Sequence, residues 1–544
     1  MTFGKFEQFG QTITALSPFN LRDGLRLGSS ASTPDHLLVR PVDPWPGDIG
    51  VGAAVMRGGF SLGGDCFVLD GSSWVSPGLS QKWLNYLHGF KWLRDLRVHG
   101  GEGARFAGAA YIKNWIDLNR DKKSEGWRAD RTGMRLSMWI SHYDFFAAHD
   151  EEFQDMFFPS VVQQARYLMR HVNNVEGLGR LYAAKGLLYA GLALEGYEAL
   201  VERALEVFSE ECNKQILSDG GDVTRSPETL LYALKIYLDV RSALAAGAYP
   251  LPEKILHAID RMGPALRFFV YSDKHLGVFN GGRKNNADLI ESVLAQAGVR
   301  GKMLSSLPSM GYERVTQGRT LLMVDTGKIP PWPHDRNVHT APLSFEMAYG
   351  KERIFVSCGA HPASEEWNET LRATAAHNGL CINHRNACEI RPNGHLGRKV
   401  QQAYVKRTES RKACLLEMSH DGYLSLNGIT HARRLFLCEQ GTDFRGEDTL
   451  ECMASPERAM DVAIRFHLHP RVMVSLVQNG EEALIRIPTG AGWRFQHTGG
   501  RLALENSIYI GTGSQPRRTK QLVIYGQVLD KRVQFKWALQ REGL

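Results

Sequence analysis

Arginine and histidine side chains alternate along a strand-like stretch near the C-terminal end of the chain. In residues 464–469, Arg465, His467 and His469 alternate with isoleucine, phenylalanine and leucine. Side chains two positions apart on a β-strand point to the same side, so these three polar side chains must share one face. That face could bind an acidic polymer, or it could pack on neighbouring strands or on a helical domain.

The cysteines form no redox or metal-binding motif. None of them makes a CxxC pair; they are Cys66, Cys212, Cys358, Cys381, Cys388, Cys414, Cys438 and Cys452. In a long chain, scattered cysteines are typical of buried thiols. Six of them follow residue 350, so one or two disulfides in an oxidising compartment remain an alternative. We find no nicotinamide, flavin or nucleotide motif and expect no such cofactor.

Length and composition indicate a globular protein with two or more domains. The chain has 544 residues, of which 43% are hydrophobic and 23% charged. The net charge of +7 would help to attract an acidic polymer. There is no dense Lys/Arg block, helix-turn-helix or zinc finger, so no nucleic-acid partner is expected. No apolar stretch is long enough to predict a membrane span, and no signal peptide is visible at the N-terminus.

The hydrophobic pattern divides the chain near residue 300. Apolar residues recur at three- and four-residue steps within 80–265, which predicts many sequential helices, one of them starting at Pro227. Strand-like runs follow, at 320–324, 344–349, 354–356, 464–468, 521–525 and 533–537. Helices followed by strands indicate an α+β multidomain protein with segregated domains. We predict an irregular segment at 1–75, a helical domain at 76–300 and an antiparallel β domain at 301–544.

Several motifs in the β half resemble those of the heparinase II/III family. Residues 372–380 (RATAAHNGL) are similar to its "R-x-T-x-A-H-N-T-L" strand motif, and residues 339–346 (HTAPLSFE) are similar to its "H-x-x-x-x-S-F" segment. Later segments also look like strands of this family: 420–423, 431–434, 465–470 and 490–495. In the helical half, the resemblance rests on Asp219-Gly220-Gly221, Arg225-Ser226-Pro227 and Phe279-Asn280-Gly281.

The resemblance implies a fold and an activity. The fold would be an incomplete (α/α) toroid followed by an antiparallel β-sandwich, with a substrate cleft between them. The activity would be that of a polysaccharide lyase, a carbon–oxygen lyase that cleaves an acidic, uronate-containing glycan by β-elimination. This reaction needs a group that neutralises the carboxylate, a base that removes the C5 proton and an acid that protonates the leaving O4.

The resemblance also suggests catalytic residues. Asn174, in residues 171–177 (HVNNVEG), would neutralise the carboxylate, although an asparagine there could instead cap a helix. The family tyrosine and histidine are replaced by Thr229 and Leu230, so Tyr232, one turn further on, would take the place of the tyrosine. His339 would act as base or acid, the alternative being a plain loop histidine.

Substrate and metal contacts are implied in the same way. Substrate would be bound by Arg225, His171, Arg465 and His467. His339 and His377 correspond to metal-binding histidines of some members, but Ser357 stands where those members have an aspartate. Two imidazoles make a poor closed zinc site, so we expect no cofactor here and keep a structural zinc only as the alternative to a His377 that hydrogen-bonds within the sandwich.

Three functions remain open from the sequence. The first is the lyase; the second is a catalytically degenerate protein of the same fold, with a glycan-binding or structural role in the cell envelope. A hydrolase on the same scaffold would need two carboxylates facing each other, and no such pair stands out. The resemblance predicts the cell envelope or periplasm, and the lack of a visible signal peptide leaves the cytoplasm as the alternative.

Overall fold

The structure is a computed structural model that describes residues 33–62, 65–69, 73–74, 78–147, 150–511 and 513–543. Most of the N-terminal segment that was predicted to be irregular, 1–75, lies outside these residues. Its described part contains regular elements, namely helix α1 (Ile49–Met56) and an antiparallel hairpin of β1 (Gly59–Leu62) and β2 (Asp65–Val68). Helix α1 packs on the helical domain.

The helical domain follows as a series of helices connected by short loops. They are α2 (Gln81–His88), α3 (Leu93–His99), α4 (Gly101–Leu118), α5 (Ala129–Ser141), α6 (Tyr143–Phe146), α7 (Glu151–His171), α8 (Leu178–Ala193), α9 (Ala199–Gln215), α10 (Pro227–Ala246), α11 (Glu253–Phe268) and α12 (Ala287–Gln296). Helix α8 packs on α5, α7, α9 and α10, and α11 packs on α9, α10 and α12. The expected helices are confirmed, including the one that starts at Pro227.

Two helices show why the local sequence starts them where it does. Asp150 caps α7 by accepting a hydrogen bond from the Phe153 N–H at 3.0 Å, and two glutamates in the first turn complement the helix dipole. Ser226 caps α10 through its side chain, and Pro227 occupies the first helical position, where a missing N–H costs nothing. The cap of α10 thereby fixes a turn that carries the cleft residues Ser226, Glu228 and Thr229.

Helices α5 and α8 approach each other unusually closely because both present glycine at the contact. A Cβ built on Gly133 would lie 2.2 Å from the Tyr182 carbonyl oxygen, and one on Gly186 would lie 2.5 Å from the Gly133 Cα. Neither position can therefore hold a side chain without moving the helices apart. This contact holds Asp130 and Tyr182 next to each other at the edge of the domain.

The β domain begins after α12. Its strands are β3 (Ser306–Leu307), β4 (Tyr312–Gln317), β5 (Thr320–Asp325), β6 (Phe345–Tyr349), β7 (Glu352–Phe355), β8 (Leu380–Ile382), β9 (Ala403–Glu409), β10 (Ala413–His420), β11 (Ile429–Cys438), β12 (Asp443–Cys452), β13 (Met460–His467), β14 (Met473–Val477), β15 (Glu482–Arg486), β16 (Gly492–Thr498), β17 (Arg501–Tyr509), β18 (Arg517–Val528) and β19 (Arg532–Arg541). Two short helices interrupt them, α13 (Glu365–Leu371) and α14 (Leu424–Asn427).

Three antiparallel sheets share one apolar core. Their strand orders are β3-β4-β5-β6-β7, β17-β18-β13-β8 and β14-β15-β16-β19-β12-β11-β10-β9. Trp537 of the largest sheet stacks on Phe345 with ring centroids 5.7 Å apart and meets Phe466 edge-on at 4.8 Å, so all three sheets meet at this indole. The predicted strands are confirmed, as is the class of a helical toroid followed by an antiparallel β-sandwich.

Buried ion pairs connect the two domains. Arg353 of β7 donates to the Asp273 carboxylate of the helical domain at 2.9 Å. Arg225, in the turn before α10, bonds the Asp325 carboxylate at the end of β5 and donates to the carbonyls of Met310 at 2.7 Å and Lys328 at 2.9 Å. These contacts fix the orientation of the domains and hence the shape of the space between them.

The remaining sequence expectations concern the cysteines and the membrane. All eight cysteines are free thiols. The tryptophans of the helical half lie in its core. Within the described residues, no helix combines the length and the apolar character needed to cross a membrane.

Candidate functional site

A cleft of about 820 Å³ lies between the helical domain and the β domain. Polar residues from both domains line it: Lys82, Asn85, Tyr86, Lys91, Arg128, Asp130, Asn173, Asn174, Glu176, Tyr182, Ser226, Glu228, Thr229, Tyr232, Asn280, Arg283, Asn337, His339, Asn368 and Arg372. The helical residues come from α2, the turn before α3 and the starts of α5, α8 and α10, so the packing of these helices assembles the site.

The cleft carries an excess of positive charge. Five lysines and arginines line it against three carboxylates. Arg128 holds Asp130 through two hydrogen bonds of 2.7 and 2.8 Å, and Arg283 holds Glu228 at 3.0 Å. Lys82 and Lys91 make no ion pair with any described residue, so their charges are available to an anionic ligand. Arg372 makes none either, but it is buried and donates to the carbonyls of Val338 at 3.0 Å, Gly394 at 2.7 Å and Asp335 at 3.1 Å.

Lys91 is the cation most altered by its surroundings. It lies in the turn between α2 and α3, and its ammonium group donates a hydrogen bond of 2.9 Å to the Tyr182 hydroxyl. Burial, together with the positive charges of Arg94 and Lys185, lowers the pKa of Lys91 to about 7. A substantial fraction of this amine is therefore unprotonated near neutral pH, unlike an ordinary lysine.

Two tyrosines flank Lys91. The Lys91 ammonium lies 4.3 Å from the ring centre of Tyr182 and 5.8 Å from that of Tyr232. Burial raises the pKa of both phenols, with the Glu228 carboxylate contributing at Tyr232. The Tyr232 hydroxyl donates to the Asn285 side-chain oxygen at 3.3 Å. Both phenols therefore keep their protons at neutral pH and can act as hydrogen-bond or proton donors.

Asn174 ends a short 3₁₀ helix, Val172–Asn174, after α7, and it lines the cleft with its side chain exposed. It does not cap α8, whose N-cap position is occupied by Gly177. Thr229, at the expected position of the family tyrosine, also lines the cleft. Leu230 is fully buried in the helical core. Of the predicted catalytic residues, the structure thus brings Asn174, Tyr232 and His339 to one cleft.

His339 reaches the cleft, but protein groups already contact both of its ring nitrogens. The Gly281 N–H donates to Nε2 at 2.9 Å, and the Asn280 N–H lies 3.2 Å from Nδ1. A neutral imidazole accepts through one nitrogen only, and the shorter contact favours Nε2. Burial, with further contributions from His377 and Arg372, holds the pKa of His339 well below its usual value. This geometry does not support the predicted role of His339 as base or acid.

His339 and His377 do not form a metal site. Their rings stack with centroids 3.9 Å apart, and His377 Nε2 lies 3.0 Å from the Leu371 carbonyl oxygen, to which it must donate. No group of three or more potential metal-ligating side chains occurs among the described residues. The donor set therefore does not fit the structural zinc that the resemblance left open.

The structure corrects two predicted substrate contacts in the helical half. Arg225 is buried, and its guanidinium bonds Asp325 and backbone carbonyls between the domains, so it has no free donor facing the cleft. His171, at the end of α7, stacks on Tyr167 with centroids 4.0 Å apart and lines a different, basic pocket together with Arg166 and Arg170.

The predicted contacts of Arg465 and His467 are also corrected. His467 is buried in the sandwich, where Nδ1 lies 2.7 Å from the Ser507 hydroxyl and Nε2 lies 2.9 Å from the Ala375 carbonyl. Arg465 is on the same strand, β13, and neither side chain lines the cleft. The alternation of residues 464–469 thus serves packing within the β domain.

Sequence reasoning missed Lys91, Tyr182 and Arg283. Tyr182 could have been found from the sequence. It lies one turn from Gly179 on α8, and Gly186 on the same helix marks the face that touches α5. Lys91 carries no such signal: it stands in an aromatic-rich stretch, and only its distance to Tyr182 distinguishes it from a solvated lysine.

Comparison with known proteins covers nearly the whole chain. The "Heparinase II/III N-terminus" family model matches residues 82–299, and the "Heparinase II/III-like, C-terminal" model matches residues 299–538. FtsZ-localized protein C of Caulobacter vibrioides (strain NA1000 / CB15N) is 30% identical over 536 residues, which cover 95% of this chain and 92% of that protein.

Solved structures show the same fold at low identity. Heparinase III superposes with a TM-score of 0.74 at 15% identity, over 96% of this chain and 88% of that one. The heparan sulfate lyase HepC from Pedobacter heparinus gives a TM-score of 0.60 at 15% identity, over 92% and 85%. With both family models matched end to end over the two domains described above, the chain belongs to the heparinase II/III-like family.

Proposed function

We propose that the cleft between the two domains binds a strand of acidic, uronate-containing polysaccharide. The observation that carries the proposal is the pair of lysines, Lys82 and Lys91, that line the cleft without an ion pair among the described residues. Charges in a partly desolvated cleft attract an anion more strongly than the same charges on an open surface.

Binding is tested by titrating the protein with a panel of heparan-type, chondroitin-type, alginate-type and bacterial acidic polysaccharides in low salt. We expect at least one to bind, with an affinity that falls as salt is added. Replacing Lys82 or Lys91 by methionine should weaken binding, because each removes one free cation. Lys406→Met, on the exposed strand β9 and outside the cleft, is the matched control. An affinity for the polysaccharide that is unchanged by both cleft substitutions would refute the proposal.

A second candidate function is β-elimination of the bound glycan, which the Lys91–Tyr182–Tyr232 cluster favours. Asn174 would hydrogen-bond the uronate carboxylate. The unprotonated Lys91 amine would take the C5 proton, the electron pair would form the C4–C5 double bond, and the C4–O4 bond would break. A phenol, Tyr182 or Tyr232, would give its proton to the leaving O4. In this scheme Lys91, rather than His339, is the base.

Elimination is tested by the ultraviolet absorbance of the unsaturated uronate product. We expect Lys91→Met to abolish the signal and His339→Gln to change it far less. The absence of product from every polysaccharide that binds would leave the binding function and exclude the lyase. A hydrolase is disfavoured, because two of the three cleft carboxylates, Asp130 and Glu228, are held by arginines.

The Caulobacter relative suggests where the protein acts. Given 30% identity over 95% of this chain, we propose that it also localises with FtsZ, as that relative's name states for itself. Co-sedimentation with FtsZ polymers and imaging of a fluorescent fusion test this proposal. A fusion that stays uniformly distributed while FtsZ forms its assemblies would refute it. The cell-envelope location suggested by family resemblance is examined by the same images.

A further inference from the structure

A second cavity of about 580 Å³ lies beside the cleft. The two spaces share the lining residues Asn173, Val175 and Glu176, so they are adjacent, and we refer to them together as the groove. The far side of the second cavity is formed by residues 331–334 of the β domain, and its near side by α8 and α9. A chain molecule lying in the cleft would therefore extend naturally into this cavity.

Trp332 stands at the far side of this cavity with 68% of its surface exposed. The other ten tryptophans are buried or half-buried. Leaving an indole in water forgoes the favourable free energy of burying a large aromatic surface. An isolated exposed apolar residue needs no explanation by itself, but this one lines the cavity next to the ligand cleft.

The segment that carries Trp332 is anchored to the β domain through the side chain of Asp335. The carboxylate of Asp335 is fully buried and is held by His395 at 2.6 Å, by Lys399 at 2.6 Å and by the Leu396 N–H at 3.2 Å. The His334 N–H also donates to the Pro331 carbonyl at 2.8 Å. One side of the indole is 6.1 Å from the His395 ring. The backbone beside the exposed ring is thus anchored before any ligand arrives, which lowers the entropy cost of stacking on the ring.

Apart from Glu176, the charged side chains of the second cavity are already paired. Arg180 bonds Glu211 at 2.6 Å and Glu210 at 2.7 Å, and Arg203 bonds Glu206 at 2.9 Å. In the cleft itself, Lys82 and Lys91 have no ion pair among the described residues. The second cavity therefore offers an apolar ring face and a balanced polar rim, which suit an uncharged sugar ring better than a uronate.

We propose that Trp332 is a stacking platform for an uncharged pyranose ring of the same glycan strand whose acidic ring lies in the cleft. The proposal rests on the glycan-binding function above and adds a distal subsite to it. It explains why the groove extends past the basic cleft, and it makes affinity depend on the length of the strand. Only a strand long enough to reach residues 331–334 gains the contact.

The experiment compares heparosan oligosaccharides, from the disaccharide to the octasaccharide, in calorimetric titrations. For the wild-type protein we expect the octasaccharide to bind roughly tenfold more tightly than the disaccharide, about 1.4 kcal/mol. Trp332→Ala should remove that gain and leave disaccharide affinity unchanged, whereas Trp332→Phe should keep part of it. Tyr404→Ala, which removes an aromatic ring that is 57% exposed on β9 away from the groove, is the control.

The outcomes separate the subsite from the function on which it rests. If Trp332→Ala and wild type show the same dependence on length, the subsite is wrong while the cleft still binds glycan. If no length binds the wild type, the glycan-binding function fails, and the subsite fails with it. Quenching of tryptophan fluorescence by the octasaccharide but not by the disaccharide would support the platform, because Trp332 is the exposed indole at the groove.

Discussion

Replacing Arg225 by alanine tests whether this residue holds the domains together or binds substrate. The guanidinium is buried and donates to the carbonyls of Met310, Gly311 and Lys328 as well as bonding Asp325. The substitution leaves the Asp325 carboxylate buried without its cation. Breaking a buried pair in this way costs about 3–5 kcal/mol of unfolding free energy. We therefore expect Arg225→Ala to lower the stability by about that amount.

The measurement is urea unfolding followed by circular dichroism, with Arg434→Ala as the control. Arg434 pairs with Glu417 at 3.0 Å but is largely exposed, so its loss should cost no more than about 1 kcal/mol. The double variant Arg225→Ala/Asp325→Ala should be more stable than the single one, because it no longer buries an unpaired carboxylate. If Arg225→Ala is as stable as wild type but loses glycan affinity, the structural role is refuted and Arg225 is a substrate-binding residue.

Three further predictions concern the cleft, the helix contact and the anchored loop. Glycan affinity should fall as pH rises through about 7, because Lys91 loses its charge there. This fall should vanish in Lys91→Met and persist in Lys82→Met. A pH dependence of affinity that is the same in Lys91→Met as in wild type would contradict the role of Lys91. Gly186→Ala should destabilise the protein by about 1–3 kcal/mol in thermal unfolding, because its Cβ has no space against Gly133, whereas Gly179→Ala, whose Cβ meets nothing closer than 3.4 Å, should be neutral or stabilising. Burial would raise the pKa of Asp335, but its bonds to His395 and Lys399 outweigh burial and lower the pKa to about 2 from 3.8. The difference in unfolding free energy between wild type and Asp335→Asn should therefore be largest above about pH 4 and shrink toward pH 2. A difference that grows in acid would contradict this prediction.

Local patterns in the sequence determined most of the secondary structure. The start of α10 was readable because Ser226 and Pro227 form a helix start by themselves. The strands of the β half were readable from local alternation, as in residues 464–469, although the structure buries His467 on the polar face as well as Ile464 and Phe466 on the apolar face. Both signals come from neighbours in the chain, so no knowledge of the tertiary structure is needed to read them. The motif at 372–380 then indicated the family to which the chain belongs.

The site itself depended on contacts between residues far apart in the chain. The sequence named Asn174, Tyr232 and His339, and the structure places all three at the cleft. It could not show that backbone N–H groups of a loop nearly sixty positions away contact both ring nitrogens of His339. Nor could it show that Arg225 bonds a carboxylate one hundred positions on.

For the same reason, the sequence alone could not identify Lys91 and Trp332, the two residues on which the proposals rest. Lys91 has an altered pKa only because α3, α8 and α10 bring Arg94, Lys185 and two tyrosine rings around it. The position of Trp332 beside the cleft is visible only in the folded chain, where Asp335 anchors the same segment to residues 395–399. The sequence by itself determined the helices and strands, the order of the domains and the family. The tertiary structure decided which side chains are free to bind or react, because burial, ion pairing and desolvation are set by groups that meet only when the chain folds.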